Sequence, residues 1–268
     1  SGYQATVYSD SAMLPGPSIG IASSLLLTVA ALRRRMTRVD VPELTYCNQL
    51  ISTSLLPKLT TLCDGFRPPV FPMDGLFQSK LAEVCDPPVD ATPYVRETLQ
   101  LPALDQIPAD TPCCPEHVPG GVVSIDWLDQ LTDSAPTCLL VPGLTGCSQS
   151  PYIRRAAVVL HAAGWRVACF NPRGRGGNEL RTPFFYSAGY THDLRRIVSH
   201  VRHRYPRAEC LTAAGYSLGA SYLGKFVGEE RDDCLLDGVA LFACPADLVG
   251  SIARLGATVS SRLVDRYA

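Results

Sequence analysis

Short apolar runs alternate with helical patterns along the chain from about residue 93 onward. Tyr94–Leu101 alternates apolar and polar positions as a half-exposed strand does, and Val122–Leu128 follows as its hairpin partner. Thr137–Val141 is short and continuously apolar, which suits a strand that is buried on both faces. Further strands are predicted at Arg166–Phe170, Glu209–Ala214 and Leu236–Phe242.

Helical patterns fill the intervals between these strands. Helices are predicted up to His161, over Gly189–Tyr205, from Ala220 and from Leu248. Strands that alternate with helices are typical of an α/β fold with a mostly parallel sheet flanked by helices. Pro102–Pro119, which is rich in proline, is expected to be a surface insertion between the first two strands.

Residues 1–92 have a different character and are predicted to form an N-terminal extension to the domain at 93–268. Ile19–Leu32 is an apolar segment of 14 residues, followed at once by Arg33, Arg34 and Arg35. A helix that crosses a membrane needs about 20 apolar residues. A membrane anchor, a packing helix and a targeting segment therefore all stay open. The expected localisation is accordingly membrane-associated or cytoplasmic, with organelle targeting as a further alternative.

Composition narrows the classes of function. A formal net charge of -1 gives no support for nucleic-acid binding. The chain has 11 cysteines, but their number is odd and no CxxC spacing occurs, so neither a disulfide framework nor a metal site is predicted. Cys138, Cys169, Cys210 and Cys244 are expected to pack as small apolar side chains in a reducing compartment. No cofactor is expected.

The pattern Gly-x-Ser-x-Gly occurs twice, and only one occurrence has the right surroundings. Gly215–Gly219 follows a predicted strand and precedes a helical pattern, as a nucleophile elbow does, so Ser217 is the candidate nucleophile. A plain turn serine is the alternative. Gly16–Gly20 also matches around Ser18, but no buried strand precedes it and Pro17 occupies its centre.

A second glycine-containing loop, Val141–Gly146, follows a predicted buried strand upstream of this elbow. Hydrolases with such an elbow place an oxyanion donor there, so the expected donors are the backbone N–H groups of Leu144 and Leu218. An ordinary glycine-rich turn is the alternative. Arg173–Gly177 lacks the spacing of a phosphate-binding loop and is interpreted as a turn beneath the site.

Three blocks resemble AB hydrolase family four, a lipase and esterase branch of the α/β-hydrolase superfamily. They are PGLTGCSQSPYIRRAA (142–157), GWRVACFNPRGRGGNELRTPFFYSAGYTHDLRR (164–196) and AAGYSLGASYLGKFVGEE (213–230). The resemblance covers most of residues 65–268. It implies the α/β-hydrolase fold and a serine hydrolase that acts on carboxylic esters of the lipid or short-chain type. Hydrolysis and acyl transfer to an alcohol share one acyl-enzyme and are not separated.

The chain departs from the family pattern in two ways. Pro142 stands where the family usually has histidine, which removes one N–H group but leaves the donor expected at Leu144. All five histidines precede Ser217, whereas the triad order in this fold is serine, acid, histidine. Asp247 resembles a helix-capping residue in the family, and His192 and Asp193 are interpreted as structural. The triad acid and base are therefore expected outside the chain.

A C-terminally truncated hydrolase is the interpretation that fits these departures. The chain begins with Ser1, ends within a helical pattern and leaves Leu236–Phe242 as an apolar sheet edge. The resemblance implies that the last strands are missing and that a cap begins near residue 248. We expect the chain by itself to be an inactive part of a serine esterase or lipase. A non-catalytic binding or interaction protein with the same fold is the alternative.

Overall fold

The computed structural model describes residues 92–103, 118–129 and 132–255, together with Thr28 and Ala30, which are helical and exposed. All elements named below belong to one unit, residues 86–268. The predicted extension and its apolar segment at 19–32 otherwise lie outside these ranges, as does most of the predicted insertion. Within the described ranges no helix has the length and apolar composition needed to cross a bilayer.

Six described strands form one mixed sheet. They are β1 Val95–Leu101, β2 Gly121–Leu128, β3 Thr137–Val141, β4 Arg166–Asn171, β5 Leu211–Tyr216 and β6 Gly238–Phe242. Their order across the sheet is β1-β2-β4-β3-β5-β6. The pairs β1–β2 and β2–β4 are antiparallel, whereas β4, β3, β5 and β6 run parallel to one another. The predicted hairpin and the mostly parallel sheet are confirmed.

Three helices flank this sheet on its two faces: α1 Pro151–Ala162, α2 His192–Arg204 and α3 Leu218–Glu230. A fourth helix, α4 Leu248–Leu255, follows β6. The core on one face joins Ile125 of β2 to Ile197 of α2 and Phe226 of α3. The core on the other face joins Leu140 of β3 to Ile153 of α1. Each such side chain, fully buried, contributes roughly 1.5–3 kcal/mol to folding.

Two predicted boundaries shift at the strand-to-helix turn. The strand predicted to end at Ala214 continues to Tyr216, and the helix predicted from Ala220 begins at Leu218. The carbonyl oxygen of Ser217 accepts from the N–H groups of Ala220, at 2.9 Å, and Ser221, at 3.2 Å. These bonds close the first turn of α3 directly after the strand, so only Ser217 separates the two elements.

Two of the four cysteines predicted to pack as small apolar side chains are buried, whereas Cys210 and Cys244 are half-buried. All six described cysteines are free thiols, and the two buried ones are Cys138 and Cys169. Burial raises the pKa of the Cys138 thiol to about 11, which keeps it protonated and unreactive at neutral pH. The remaining cysteines lie outside the described residues.

Strand β6 forms one end of the sheet as far as the structure describes it. Val239, Leu241 and Phe242 are 40%, 42% and 49% exposed. The predicted apolar edge at this strand is confirmed for the described residues.

Candidate active site

Ser217 occupies a strained position between β5 and α3. Its backbone has φ 52° and ψ -119°, a combination that L-residues rarely adopt and that costs of the order of 1–3 kcal/mol. Its N–H group donates to the carbonyl oxygen of Phe242 at the end of β6, at 2.9 Å. The side chain is exposed and forms no hydrogen bond with any described residue. The turn therefore holds a free hydroxyl at the carboxyl edge of the parallel strands.

Close packing at this turn explains its two flanking glycines. A Cβ atom at Gly215 would lie 2.7 Å from the Cα atom of Ala220 and 2.7 Å from the carbonyl oxygen of Gly219. A Cβ atom at Gly219 would overlap the carbonyl oxygens of Val141 and Pro142. The first turn of α3 thus rests directly on the end of β3, which places the loop after β3 beside Ser217.

Replacement of Gly219 with alanine is expected to destabilise the protein by about 1–3 kcal/mol, because the new methyl group meets backbone atoms that cannot rotate away. The matched control is Gly228→Ala on the same helix, where an added Cβ atom has no neighbour within 4 Å. That control should be neutral or stabilising by up to about 1 kcal/mol, since alanine is the better helix former. Urea unfolding measures both, and equal effects of the two substitutions would contradict the packing described here.

The loop after β3 turns back on itself beside the serine. The N–H group of Gly146 donates to the carbonyl oxygen of Gly143 at 3.0 Å, so Leu144 and Thr145 are the central residues of a β-turn. Thr145 has φ 62°, a conformation in which glycine or asparagine is preferred. A Cβ atom built at Gly143 would lie 3.2 Å from the Cβ atom of Ser217. The predicted oxyanion loop and the predicted nucleophile are therefore neighbours.

Neither predicted oxyanion donor, the N–H group of Leu144 or that of Leu218, has an acceptor among the described residues. Leu218 is the first residue of α3, so its N–H group has no acceptor within the helix. The N–H group of Leu144 donates to no atom of the described residues, because the turn itself uses only the N–H group of Gly146. Two free donors at the carboxyl edge beside a free hydroxyl are what stabilisation of a developing oxyanion requires.

Two tyrosines that sequence reasoning missed contact this loop. The N–H group of Gly143 donates to the hydroxyl of Tyr152 at 2.9 Å, and the N–H group of Thr145 donates to the hydroxyl of Tyr186 at 2.8 Å. Tyr152 lies in the first turn of α1, and Tyr186 precedes α2. No local pattern marks either tyrosine, because the contacts depend on how the two segments meet the loop.

A buried carboxylate anchors the far end of the same loop. Asp126 of β2 accepts two hydrogen bonds from Arg96, at 2.7 Å each, and further bonds from Ser148 and Asn171. Burial raises the pKa of this carboxyl, but the bonds from these three partners outweigh burial and hold the pKa below its usual value. The N–H group of Ser148 also donates to Asn171 at 2.8 Å, so the loop is tied to β2 and β4 together.

The segment Arg173–Gly177 follows β4 and carries a second buried pair. The Arg173 guanidinium contacts the Asp193 carboxylate through two bonds, at 2.7 and 3.0 Å, and both side chains are 3% exposed. Arg173 also donates to the carbonyl oxygen of Pro119 at 2.8 Å. The pair fixes the turn after β4 against the start of α2, in agreement with the structural role predicted for Asp193.

The other predicted residues have partners away from Ser217. Asp247 accepts from the N–H group of Gly250 at 2.8 Å and so caps α4, as predicted. Burial, and then the nearby Arg195, lower the pKa of His192, whose ring lies 5.6 Å from that of Tyr190. No hydrogen bond joins Ser217 to a described histidine or carboxylate, and His117 lies outside the described residues. Within the described ranges no group of three or more histidine, cysteine, aspartate or glutamate residues is placed to hold a metal ion.

Comparison with known proteins gives relatives over about half of the chain. The embryogenesis-associated protein EMB8 of Picea glauca is 35% identical over 140 residues, which are 48% of this chain and 30% of that protein. The phospholipase ABHD3 of Homo sapiens is 37% identical over 131 residues, which are 46% of this chain and 32% of that protein. The matched part thus spans about a third of these relatives' length. No family model matches the chain.

Among solved structures, the Pyrococcus furiosus esterase Pf2001 aligns with a TM-score of 0.47 and 19% identity, over 62% of this chain and 58% of that one. The order and direction of the strands, the strained serine between β5 and α3 and the similarity to the curated relatives agree with one another. They agree with the α/β-hydrolase fold that the sequence predicts.

Proposed function

We propose that the protein is a serine hydrolase of carboxylic esters, with lipid or short-chain esters as substrates. The observation that carries the proposal is the exposed hydroxyl of Ser217 on a strained turn that adjoins the loop at Gly143, with the N–H groups of Leu144 and Leu218 unbonded among the described residues. The phospholipase named among the relatives supports an ester of the lipid type for the class of substrate.

In the proposed reaction the Oγ atom of Ser217 attacks the ester carbonyl carbon, and the carbonyl oxygen becomes an oxyanion. The N–H groups of Leu144 and Leu218 donate to that oxygen, and each such donor is worth about 3–4 kcal/mol in enzymes where it has been removed. The alcohol leaves, and water then hydrolyses the acyl-enzyme.

A histidine base takes the proton of Ser217 and returns it to the leaving alcohol. No described histidine bonds to Ser217, so we assign that base, and the acid that orients it, to parts of the protein that the structure does not describe. The described histidines that form hydrogen bonds form them with other residues; the Nε2 atom of His200, for example, lies 3.0 Å from the Oε1 atom of Glu97.

Labelling of the full-length gene product with a fluorophosphonate tests the proposal. The Oγ atom of the nucleophile forms a bond to phosphorus and fluoride leaves, so only an activated serine reacts. Mass spectrometry of the digested protein should find the added phosphonyl group on Ser217. The peptide that contains Ser18, which has the same Gly-x-Ser-x-Gly pattern, is the internal control and should be unmodified.

A folded full-length protein that takes up no label contradicts the proposal and favours a non-catalytic binding or interaction protein. Label on a serine other than Ser217 contradicts the assignment of the nucleophile. Membrane association through residues 19–32 stays a prediction, and fractionation of the full-length protein with and without that segment measures it.

A further inference from the structure

The turn at Gly143–Gly146 is held by a hydrogen bond on each side of Leu144, the proposed donor. The residue before Leu144 donates its N–H group to Tyr152, and the residue after it donates its N–H group to Tyr186. The three consecutive backbone N–H groups of Gly143, Leu144 and Thr145 therefore differ in their hydrogen bonds. The outer two are held by tyrosine hydroxyls, whereas the middle one, on Leu144, stays unbonded within the described residues.

The conformation of this turn needs support from outside. Thr145 has φ 62°, which costs a residue with a Cβ atom roughly 1–3 kcal/mol. Leu144 is 65% exposed, so its side chain adds little packing that would hold the turn. A short exposed turn with a strained residue should relax to other conformations unless hydrogen bonds fix it, and the two tyrosine hydroxyls supply such bonds.

Tyr152 packs against the end of the strand that precedes the nucleophile. The ring of Tyr152 lies 5.3 Å from that of Tyr216, which is the residue directly before Ser217 and stacks on Phe242 at 5.0 Å. Tyr152 therefore connects the loop to the strand that carries the nucleophile. Burial raises the pKa of Tyr152, so its hydroxyl stays neutral. The hydroxyl oxygen accepts a hydrogen bond from the N–H group of Gly143.

Tyr186 is placed against the other half of the proposed oxyanion hole. It lines a small cavity with Pro142 of the loop and with Leu218 and Gly219 of α3. Its ring also packs on Phe185, with the centroids 4.5 Å apart. Tyr186 thus bonds to the loop that carries one proposed donor and lines a cavity together with the residue that carries the other.

We infer that Tyr152 and Tyr186 are positioning residues of the oxyanion hole, which hold the turn so that the Leu144 N–H group points at the oxyanion. The inference rests on the proposed function. Neither hydroxyl touches the substrate in this role. Each hydroxyl acts through the backbone of the turn. The N–H group that it helps to position stabilises the negative charge that develops on the substrate oxygen in the transition state.

Steady-state hydrolysis of p-nitrophenyl butyrate by the full-length gene product tests the inference with Tyr152→Phe and Tyr186→Phe, each of which removes one oxygen atom. We expect kcat to fall about 10-fold in each variant with KM unchanged, and by less than the 10²–10³-fold that loss of a whole donor causes. A trifluoromethyl ketone, whose adduct with Ser217 bears an oxyanion, should bind more weakly by the same factor.

Tyr205→Phe is the matched control, because its hydroxyl bonds to Asp129 and Arg204, and Asp129 also accepts from Arg166 at the start of β4, whereas Ser217 follows the carboxyl end of β5. It should lower the melting temperature to a similar extent without changing kcat. If the two test variants change kcat no more than Tyr205→Phe does, or change only the melting temperature, the inference is wrong while the proposed function stands. A wild-type protein that neither hydrolyses the ester nor binds the ketone overturns both.

Discussion

The ester hydrolysis proposed for the full-length gene product is expected to fall by about 10⁴–10⁶-fold when Ser217 is replaced with alanine. Without the hydroxyl no acyl-enzyme forms, and the oxyanion donors retain only the part of the rate enhancement that binding and charge stabilisation provide. The measurement is kcat for p-nitrophenyl butyrate. KM should change little, because the substitution removes one exposed oxygen atom and leaves the surrounding backbone intact.

Ser221→Ala is the control for this substitution. Ser221 lies one helical turn further along α3, and its hydroxyl donates to the carbonyl oxygen of Pro245 at 3.1 Å. Ser221→Ala likewise removes one hydroxyl oxygen but leaves the nucleophile unchanged, so its kcat should match the wild type. Residual activity of Ser217→Ala close to that of Ser221→Ala would show that another residue attacks the ester.

The second large effect is on stability. Asp193→Ala is expected to lower the free energy of unfolding by about 3–5 kcal/mol, because it leaves the guanidinium of Arg173 buried without a counter-charge. Both side chains of the pair are 3% exposed, so water cannot replace the lost carboxylate without a local opening of the structure. Urea unfolding monitored by circular dichroism measures the change.

An exposed ion pair in the segment between β4 and α2 provides the comparison with the buried pair. Arg181 and Glu179 are 3.2 Å apart with side chains 52% and 73% exposed. Glu179→Ala should change the free energy of unfolding by less than about 1 kcal/mol, since exposed pairs contribute little. If Asp193→Ala is as mild as Glu179→Ala, the buried pair does not support the turn after β4 as described.

The sheet could be predicted well because its information is local. The alternation at β1 and the apolar run at β3 identify buried and half-buried strands within a few residues of sequence. The sequence pattern predicts the start of α3 two residues too late, because glycine, here Gly219, is a poor helix former. Its place in the helix depends on contact with the carbonyl oxygens of Val141 and Pro142, and those are remote in sequence.

The candidate site could be predicted only where it depends on backbone order. Ser217, Leu144 and Leu218 follow from the sequence of strand, turn and helix. Asp126 could not be recognised in the same way, because a polar residue at every second position of a strand normally indicates a solvent-facing side. Here that side is covered, and the residue is 1% exposed because the loop at Ser148 and the end of β4 close over it.

The exposed side chain of Leu144 has a consequence for how this site tolerates change. The proposed donor at this position is a backbone group, which every residue except proline possesses. The leucine side chain itself is 65% exposed and is not needed to hold the turn, which the flanking residues do. In the proposed function, position 144 therefore separates two properties that most active-site residues combine: the main chain would donate to the oxyanion, while the exposed side chain could vary without loss of that donor.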